Sequence, residues 1–302
     1  MNSSGLPTVC SATGSNARVT GNGFSNSAFV RSDLGTSGSY GGKTIHSQKI
    51  TKTPVVFVHG NSDLALRKSA SIKPQYQTGW DNSIQYFLAQ GYTTAELYAT
   101  TWGPANPLLA SQQAHTCQYI EHTRKFVEAV LSYTNSSKLN LVSHSMGVTL
   151  ARAALKGNGK CKIGKPLTKR VDTFLGISGA NYGLCSCQYA VQLPTCSVER
   201  GFYPGAYCGV NIVCGVSTPC STKTYSVFLR QLNEDKTREA QHVFSFHSTA
   251  DELIGHQDKV WGRPTSDFPS QNASKIYTAL THMGTKDETA ADQFKAVVNH
   301  NV

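Results

Sequence analysis

The sequence predicts an α/β fold: a doubly wound, mostly parallel sheet carrying a disulfide-stapled cap segment. Three observations predict it. Short apolar runs typical of buried parallel strands alternate with stretches of helical periodicity. One junction, LNLVSHSMGVTLARAAL at residues 139–155, passes from strand through a sharp turn into a helix. Between residues 180 and 230 the alternation gives way to a segment rich in Cys, aromatic residues, Gly and Pro.

The elements follow in order. Residues 1–50 are rich in Gly, Ser and Asn with few periodic apolar positions, and read as an irregular wrap with Cys10 available to pin it. Pro54-Val55-Val56-Phe57-Val58 is a near-continuous apolar run, the pattern of a central parallel strand. A helix is predicted from Asp81 to Gln90, with Ile84, Phe87 and Leu88 inward, then a strand from Thr93 to Tyr98. Residues 113–134 carry Tyr119, Phe126, Val127, Val130 and Leu131 at helical spacing. The strand of the 139–155 junction comes next, then its helix, then a buried strand from Val171 to Ile177. Tyr182, Tyr189, Phe202, Tyr203 and Tyr207 stand in the irregular stretch, which is expected to lie over the carboxyl ends of the strands as a cap. Regular structure resumes at Val243–Phe246 and closes with a helix from Asp287 to Asn299, where Thr285 and Glu288 are spaced as a capping box. This organisation predicts one domain over 1–302, with the wrap at 1–50 and the cap insertion at 180–230.

Composition narrows the class. A chain of 302 residues buries a substantial core, and no stretch approaches the roughly 18 apolar residues of a membrane span. Twenty-eight basic and eighteen acidic residues give +10, but Lys and Arg are scattered, not gathered into a tract interleaved with aromatics. A solvated basic surface is expected, and no nucleic-acid partner. Five of the nine cysteines, Cys185, Cys187, Cys196, Cys208 and Cys214, fall within thirty residues, with Cys220 close behind. Their spacings match no usual zinc knuckle and no histidine lies among them, so disulfides and a secreted, extracellular protein are expected. The odd count leaves at least one thiol free or paired between chains. The N-terminus MNSSGLPTVC has no apolar core of a signal peptide, as expected for a mature form with an added Met. Sequons at Asn2, Asn135 and Asn272 are compatible with export.

The chemistry starts at Ser145. Leu139, Leu141 and Val142 make the strand, and Val148, Leu150, Ala151, Ala154 and Leu155 make the helix. A strand-to-helix elbow exposes the serine oxygen with the positive helix end beneath it. Ser143 replaces the first glycine of the usual G-x-S-x-G, meeting the need for little bulk. A serine nucleophile needs a base, and the base needs an acid to hold its tautomer. On such an elbow they follow later in the chain, acid first, each on a loop leaving a strand. Asp251 follows the strand VFSFHS, with Glu252 its nearest rival and Asp258 and Asp235 weaker choices. His282 lies in the loop LTHMGT, 31 residues later. His256 shares the short loop of the acid, and His144 belongs to the strand and is expected to point away from the serine. His242 and His247 read as structural histidines at strand edges, and His300 as frayed terminus. An oxyanion needs two preorganised donors. The backbone N–H of Met146 and that of Asn61, in the loop His59-Gly60-Asn61 after the first strong strand, are expected to supply them.

HSMGVTLARAAL, KRVDTFLGISGANYGLC and the segment around STADELIG resemble the class 2 lipases prominent in nematodes. TKTPVVFVHGNSD, SHSMGV, YGLCSC, PTCSVERGFYPG and THMGTK resemble extracellular poly(3-hydroxybutyrate) depolymerases whose serine lies in a His-Ser-Met-Gly box. The likeness runs discontinuously from residue 51 to the end. It implies an α/β-hydrolase fold, with the nucleophile at Ser145, the acid at Asp251, the base at His282 and oxyanion donors at Asn61 and Met146. It also implies a Cys187–Cys196 bridge in the cap, whereas Cys208, Cys214 and Cys220 depart from the depolymerase pattern. The expected activity is ester hydrolysis through an acyl-enzyme without metal or organic cofactor, in a monomer that does not insert into membranes. The substrate would be an ester lipid or, as the alternative, a water-insoluble polyester. Amidase chemistry uses the same residues, and a non-catalytic binding protein on this scaffold would require a Ser145 closed off from solvent.

Overall fold

The computed structural model describes residues 27–68, 70–157, 161–209 and 224–302. Cys10, Cys214 and Cys220, the sequon at Asn2, and the first half of the expected wrap lie outside them. A short helix α1 (Ser27–Val30) leads into the edge strand β1 (Ser39–Tyr40), and then β2 (Val55–Val58), α2 (Asp81–Ala89) and β3 (Leu97–Thr100) follow. Next come α3 (Cys117–Thr134), β4 (Leu139–His144), α4 (Met146–Lys156) and β5 (Val171–Ile177). After the cap come α5 (Val227–Glu234), β6 (His242–Ser248), the small pair β7 (Lys259–Val260) and β8 (Arg263–Pro264), β9 (Ala273–Tyr277), α6 (Gly284–Asp287) and α7 (Ala290–Asn299).

Among the described residues seven strands form one sheet in the order β1-β3-β2-β4-β5-β6-β9, and every neighbouring pair is parallel except β1 with β3. Side-chain alternation explains the double winding. Val56 and Val58 of β2, Leu141 of β4 and Phe174 of β5 face the layer of α3 and α4. Val55 and Phe57, Val142, and Leu175 with Ile177 face the opposite layer, which includes Phe87 of α2 and Val297 of α7. Both faces are covered, which is why β2 and β4 are buried at every position. This is the α/β-hydrolase arrangement. The chain leaves β2 for β3 on one side and returns to β4 on the other, so the carboxyl ends of β2 and β4 flank a crevice where the strand order reverses.

Several boundaries differ from the sequence reading, each for a local reason. The third strand begins at Leu97, not Thr93, because the Glu96 carboxylate gathers the amides of Thr51 (2.7 Å), Lys52 (3.0 Å) and Thr93 (2.9 Å) and holds residues 93–96 in a turn. α3 begins at Cys117, where the Thr116 hydroxyl caps the Tyr119 amide (3.4 Å). The segment ahead of it is a 3-10 turn opened by Pro107 and capped by Asn106. No capping box forms at Thr285: its hydroxyl donates instead to the His282 carbonyl (2.6 Å), and the closing helix is split into α6 and α7. The helix α5 begins inside the expected cap range. The sequence does not signal the strand β9, parallel to β6 at the sheet edge, because none of its five residues is fully buried and its apolar pattern is thin.

The cap contains the disulfides Cys185–Cys208 and Cys187–Cys196, and a third, Cys117–Cys161, ties the start of α3 to the segment after α4. Among the described cap residues ahead of α5, short 3-10 turns at Cys185–Cys187 and Pro194–Cys196 are the regular elements. Among the described residues no helix is long and apolar enough to cross a membrane.

Candidate active site

Ser145 sits between β4 and α4 with φ 55° and ψ −130°, left-handed backbone that a non-glycine residue adopts at a cost of order 1–3 kcal/mol. Its amide donates to the Ile177 carbonyl (2.8 Å), which fixes the elbow to β5. It occupies the N-cap position of α4, yet its side chain makes no capping hydrogen bond. The hydroxyl is therefore not consumed by the helix. Two residues earlier, the Ser143 hydroxyl donates to the Leu175 carbonyl (3.1 Å), so the serine in place of glycine is small enough and is hydrogen-bonded.

Glycines allow the close approach of two loops. A Cβ on Gly147 would lie 2.3 Å from the His59 carbonyl oxygen, so α4 can start against the end of β2 only without a side chain there. A Cβ on Gly60 would lie 2.8 Å from the Ser145 Cβ. The loop His59-Gly60-Asn61 therefore runs directly against the serine. The His59 ring anchors it: Nδ1–H donates to the Gly60 carbonyl (2.7 Å), Nε2 accepts from the Trp102 amide (3.0 Å), and the ring stacks on Trp102. Burial pulls this imidazole down to about 4, so it is neutral, as that bonding pattern requires. Farther along, Asp63 accepts from the Gly79 amide (3.0 Å) and pairs with the fully buried Lys286 (2.7 Å), which also donates to Thr78 (2.9 Å).

Asp251 and His282 meet although 31 residues separate them. The His282 Nδ1–H donates to Asp251 Oδ2 at 2.7 Å, leaving Nε2 as the acceptor nitrogen. The other oxygen, Oδ1, accepts from the amides of Leu253 (3.0 Å) and Ile254 (2.9 Å). Burial pushes the Asp251 carboxyl up, but the His282 charge and these hydrogen bonds outweigh it and hold the group below the usual carboxylate range. Glu252, the rival acid, does not reach the imidazole; its carboxylate accepts from the His282 backbone amide (2.9 Å). His256 is exposed on its loop, and Asp258 is buried against Ser266 (2.6 Å).

His144 corrects the sequence reading. Its ring packs against that of His282 with centroids 4.6 Å apart, and its Nε2–H donates to the His282 carbonyl (3.0 Å). Burial, then the His282 charge, keeps His144 neutral. The ring is not set apart from the serine as strand alternation suggested: it lines the cleft with Ser145 and stands beside Gly60, 3.2 Å from where a Cβ there would lie. The same carbonyl accepts from Thr285, whose hydroxyl is paired with Ser178 (2.7 Å). A polar residue next to the serine, and a threonine three residues after the histidine, were the available signals. His300 is hydrogen-bonded to Asp172 (3.0 Å) and is not frayed, and the buried His247 Nδ1 has no hydrogen-bond partner among the described residues, with Asp267 Oδ1 3.9 Å away.

Ser145, His282, Asn61 and Met146 all line one cleft of about 400 Å³, with Asp251 buried behind the imidazole. The cap contributes Leu184, Thr195 and Phe202 to its wall, and Leu253 and Ile254 form another side. The cap is thus part of the cleft and not an inert excursion.

Residues 52–295 match the family model described as Lipase (class 2). No relative is found among curated protein sequences. Among solved structures, the mature form of the Bacillus licheniformis lipase BlEst2 is similar at a TM-score of 0.52 and 12% identity, over 85% of this chain and 96% of that one. Its propeptide form gives 0.52 at 13% identity, over 87% of this chain and 54% of that one. Lipase B of Aspergillus fumigatus gives 0.48 at 14% identity over 85% of this chain, which spans only 54% of the length of that lipase. At such identities the likeness is one of fold. The disulfide-stapled chain belongs to an oxidising, extracellular setting. The chain belongs to the class 2 lipase family and is a secreted hydrolase of the lipase/esterase type.

Proposed function

We propose that the protein is a serine carboxylic ester hydrolase that works through Ser145, His282 and Asp251. The observation that carries this reading is the 2.7 Å His282–Asp251 hydrogen bond beside a strained serine elbow in the same cleft. With Nδ1–H held by Asp251, the His282 Nε2 lone pair takes the Ser145 proton as the hydroxyl attacks an ester carbonyl. The amides of Asn61 and Met146 receive the oxyanion, a contribution of about 10²–10³ in rate per donor. His282 then protonates the departing alcohol, and water, deprotonated by His282, releases the acid from the acyl-enzyme.

A water-insoluble substrate fits the surroundings. Leu253 is 44% exposed on the cleft wall, and Leu108, 70% exposed, stands between two residues of that lining, Pro107 and Ala110. Long-chain glycerides or similar ester lipids are the first reading. A poly(3-hydroxybutyrate)-type polyester is the second, favoured by Tyr189 and Tyr207, 80% and 50% exposed on the cap, which offer flat faces to a polymer surface. The deciding experiment compares hydrolysis of short esters, long-chain glycerides and poly(3-hydroxybutyrate) film, with Ser145→Ala as control. Loss of all ester hydrolysis in the control, by at least about 10³-fold, is expected. Full activity in Ser145→Ala would end the proposal.

A further inference from the structure

At the end of the sheet opposite the cleft, two imidazoles and a carboxylate converge. Asp172 is the second residue of β5 and His242 the first of β6, so both stand at the amino ends of parallel strands. His300, which ends α7 in left-handed backbone, comes to the same place because α7 packs along β5. The His300 Nε2 lies 3.0 Å from Asp172 Oδ2, and the His242 and His300 rings stack with centroids 3.8 Å apart and planes 6° from parallel.

We infer that Asp172, His242 and His300 form a binding site for a divalent transition-metal ion of the zinc class, separate from the ester-cleaving centre. Imidazole and carboxylate are the donor types such ions take, and each of the three residues offers one ligand atom, all within 4.8 Å of one another. A tetrahedral ion with bonds of about 2.0–2.1 Å needs ligand atoms about 3.3–3.5 Å apart, so closing the site takes a side-chain adjustment of little more than about 1 Å. Both histidines can make it, being only partly covered. The ion would replace the proton now shared by His300 and Asp172, and water would complete its shell. Neutral imidazole is the ligating form.

Opposing charges are present and limit the affinity. The Lys138 ammonium lies 3.5 Å from Asp172 Oδ1, although it also donates to Gln241 (2.6 Å), and the Arg238 guanidinium donates to the Gln241 carbonyl (3.4 Å), next to His242 in the chain. The ion would act as a clip that fastens α7 to the sheet. The same helix, through Gln293, holds the Lys286 carbonyl (2.7 Å), four residues beyond His282.

The test uses the full chain without a histidine tag, stripped with EDTA, and titrated with Zn²⁺ by calorimetry and thermal unfolding. One ion per chain is expected. At zinc a hundredfold above Kd, Tm should rise by about 4 °C. Cu²⁺ in its place should show an electron paramagnetic signal with two imidazole nitrogens. His300→Ala, at an exposed helix end, should weaken zinc binding at least tenfold and leave one nitrogen in the copper signal. Ester hydrolysis of the metal-free variant should match that of the parent. His242→Asn gives a second, independent removal of a ligand. Binding that is absent at 100 µM Zn²⁺ (about 100-fold above a micromolar Kd), or that both variants retain unchanged, would overturn the inference.

Discussion

Gly60→Ala tests the oxyanion reading directly. The added Cβ would stand 2.8 Å from the Ser145 Cβ and 3.2 Å from His144 Nδ1. Carbon atoms pack at about 3.5–4.0 Å, so the loop and the elbow must part by about 0.7–1.2 Å. Neither yields easily. Ser145 is pinned by its amide to β5, and the loop by the His59 ring and by Asp63 with Lys286. Overpacking of this kind costs about 1–3 kcal/mol, a fall in Tm of roughly 2–5 °C for a chain of this size. The rate should suffer more, because a displacement near 1 Å removes the Asn61 amide from the oxyanion: about 10²-fold in kcat with little change in KM. The assay is steady-state hydrolysis of a soluble short-chain ester, with thermal unfolding run in parallel to show that the fold is intact. A folded Gly60→Ala enzyme with kcat within about threefold of the parent would refute the reasoning, since one donor is worth far more than that.

Three further outcomes are expected. Asp251→Asn should lower kcat by about 10³–10⁴ while Glu252→Gln costs tenfold or less, because one carboxylate holds the imidazole tautomer and the other only the backbone of His282; similar losses in both would remove Asp251 from its role. Burial pushes the Asp258 carboxyl up to about 8, against the pull of Ser266, so the native state favours its neutral form. Its stabilising effect is complete below the ordinary value near 3.8 and is lost as pH rises through about 8. The Tm of Asp258→Asn relative to the parent should therefore climb between about pH 5 and pH 9, and a pH-independent difference would contradict this. Replacing both cysteines of the Cys117–Cys161 bridge, 44 residues apart, should cost about 4 kcal/mol. Replacing those of Cys187–Cys196, 9 apart, should cost about 2.5–3 kcal/mol, as measured by denaturant unfolding.

The long apolar runs and the period of side-chain burial made β2, β4, β5 and β6 legible, because a strand covered on both faces has almost no polar freedom. The elbow at Ser145 and the order Ser145, Asp251, His282 were legible for a similar reason: strand ends generate them, and strand ends are marked by where apolar runs stop. The sequence did not reveal β9, the split of the last helix, or the bridges Cys117–Cys161 and Cys185–Cys208, since pairing depends on distances between segments far apart in the chain. Nor did it reveal that His144 supports His282, that Glu252 and Thr285 grip the backbone of the same residue, or that Lys286 lies buried behind the Asn61 loop. By itself, then, the sequence determined most of the sheet and named the residues proposed to react. Only the tertiary structure decided how they are held, because a hydrogen bond between residues such as His144 and His282, 138 positions apart, leaves no local pattern that propensity or periodicity can register.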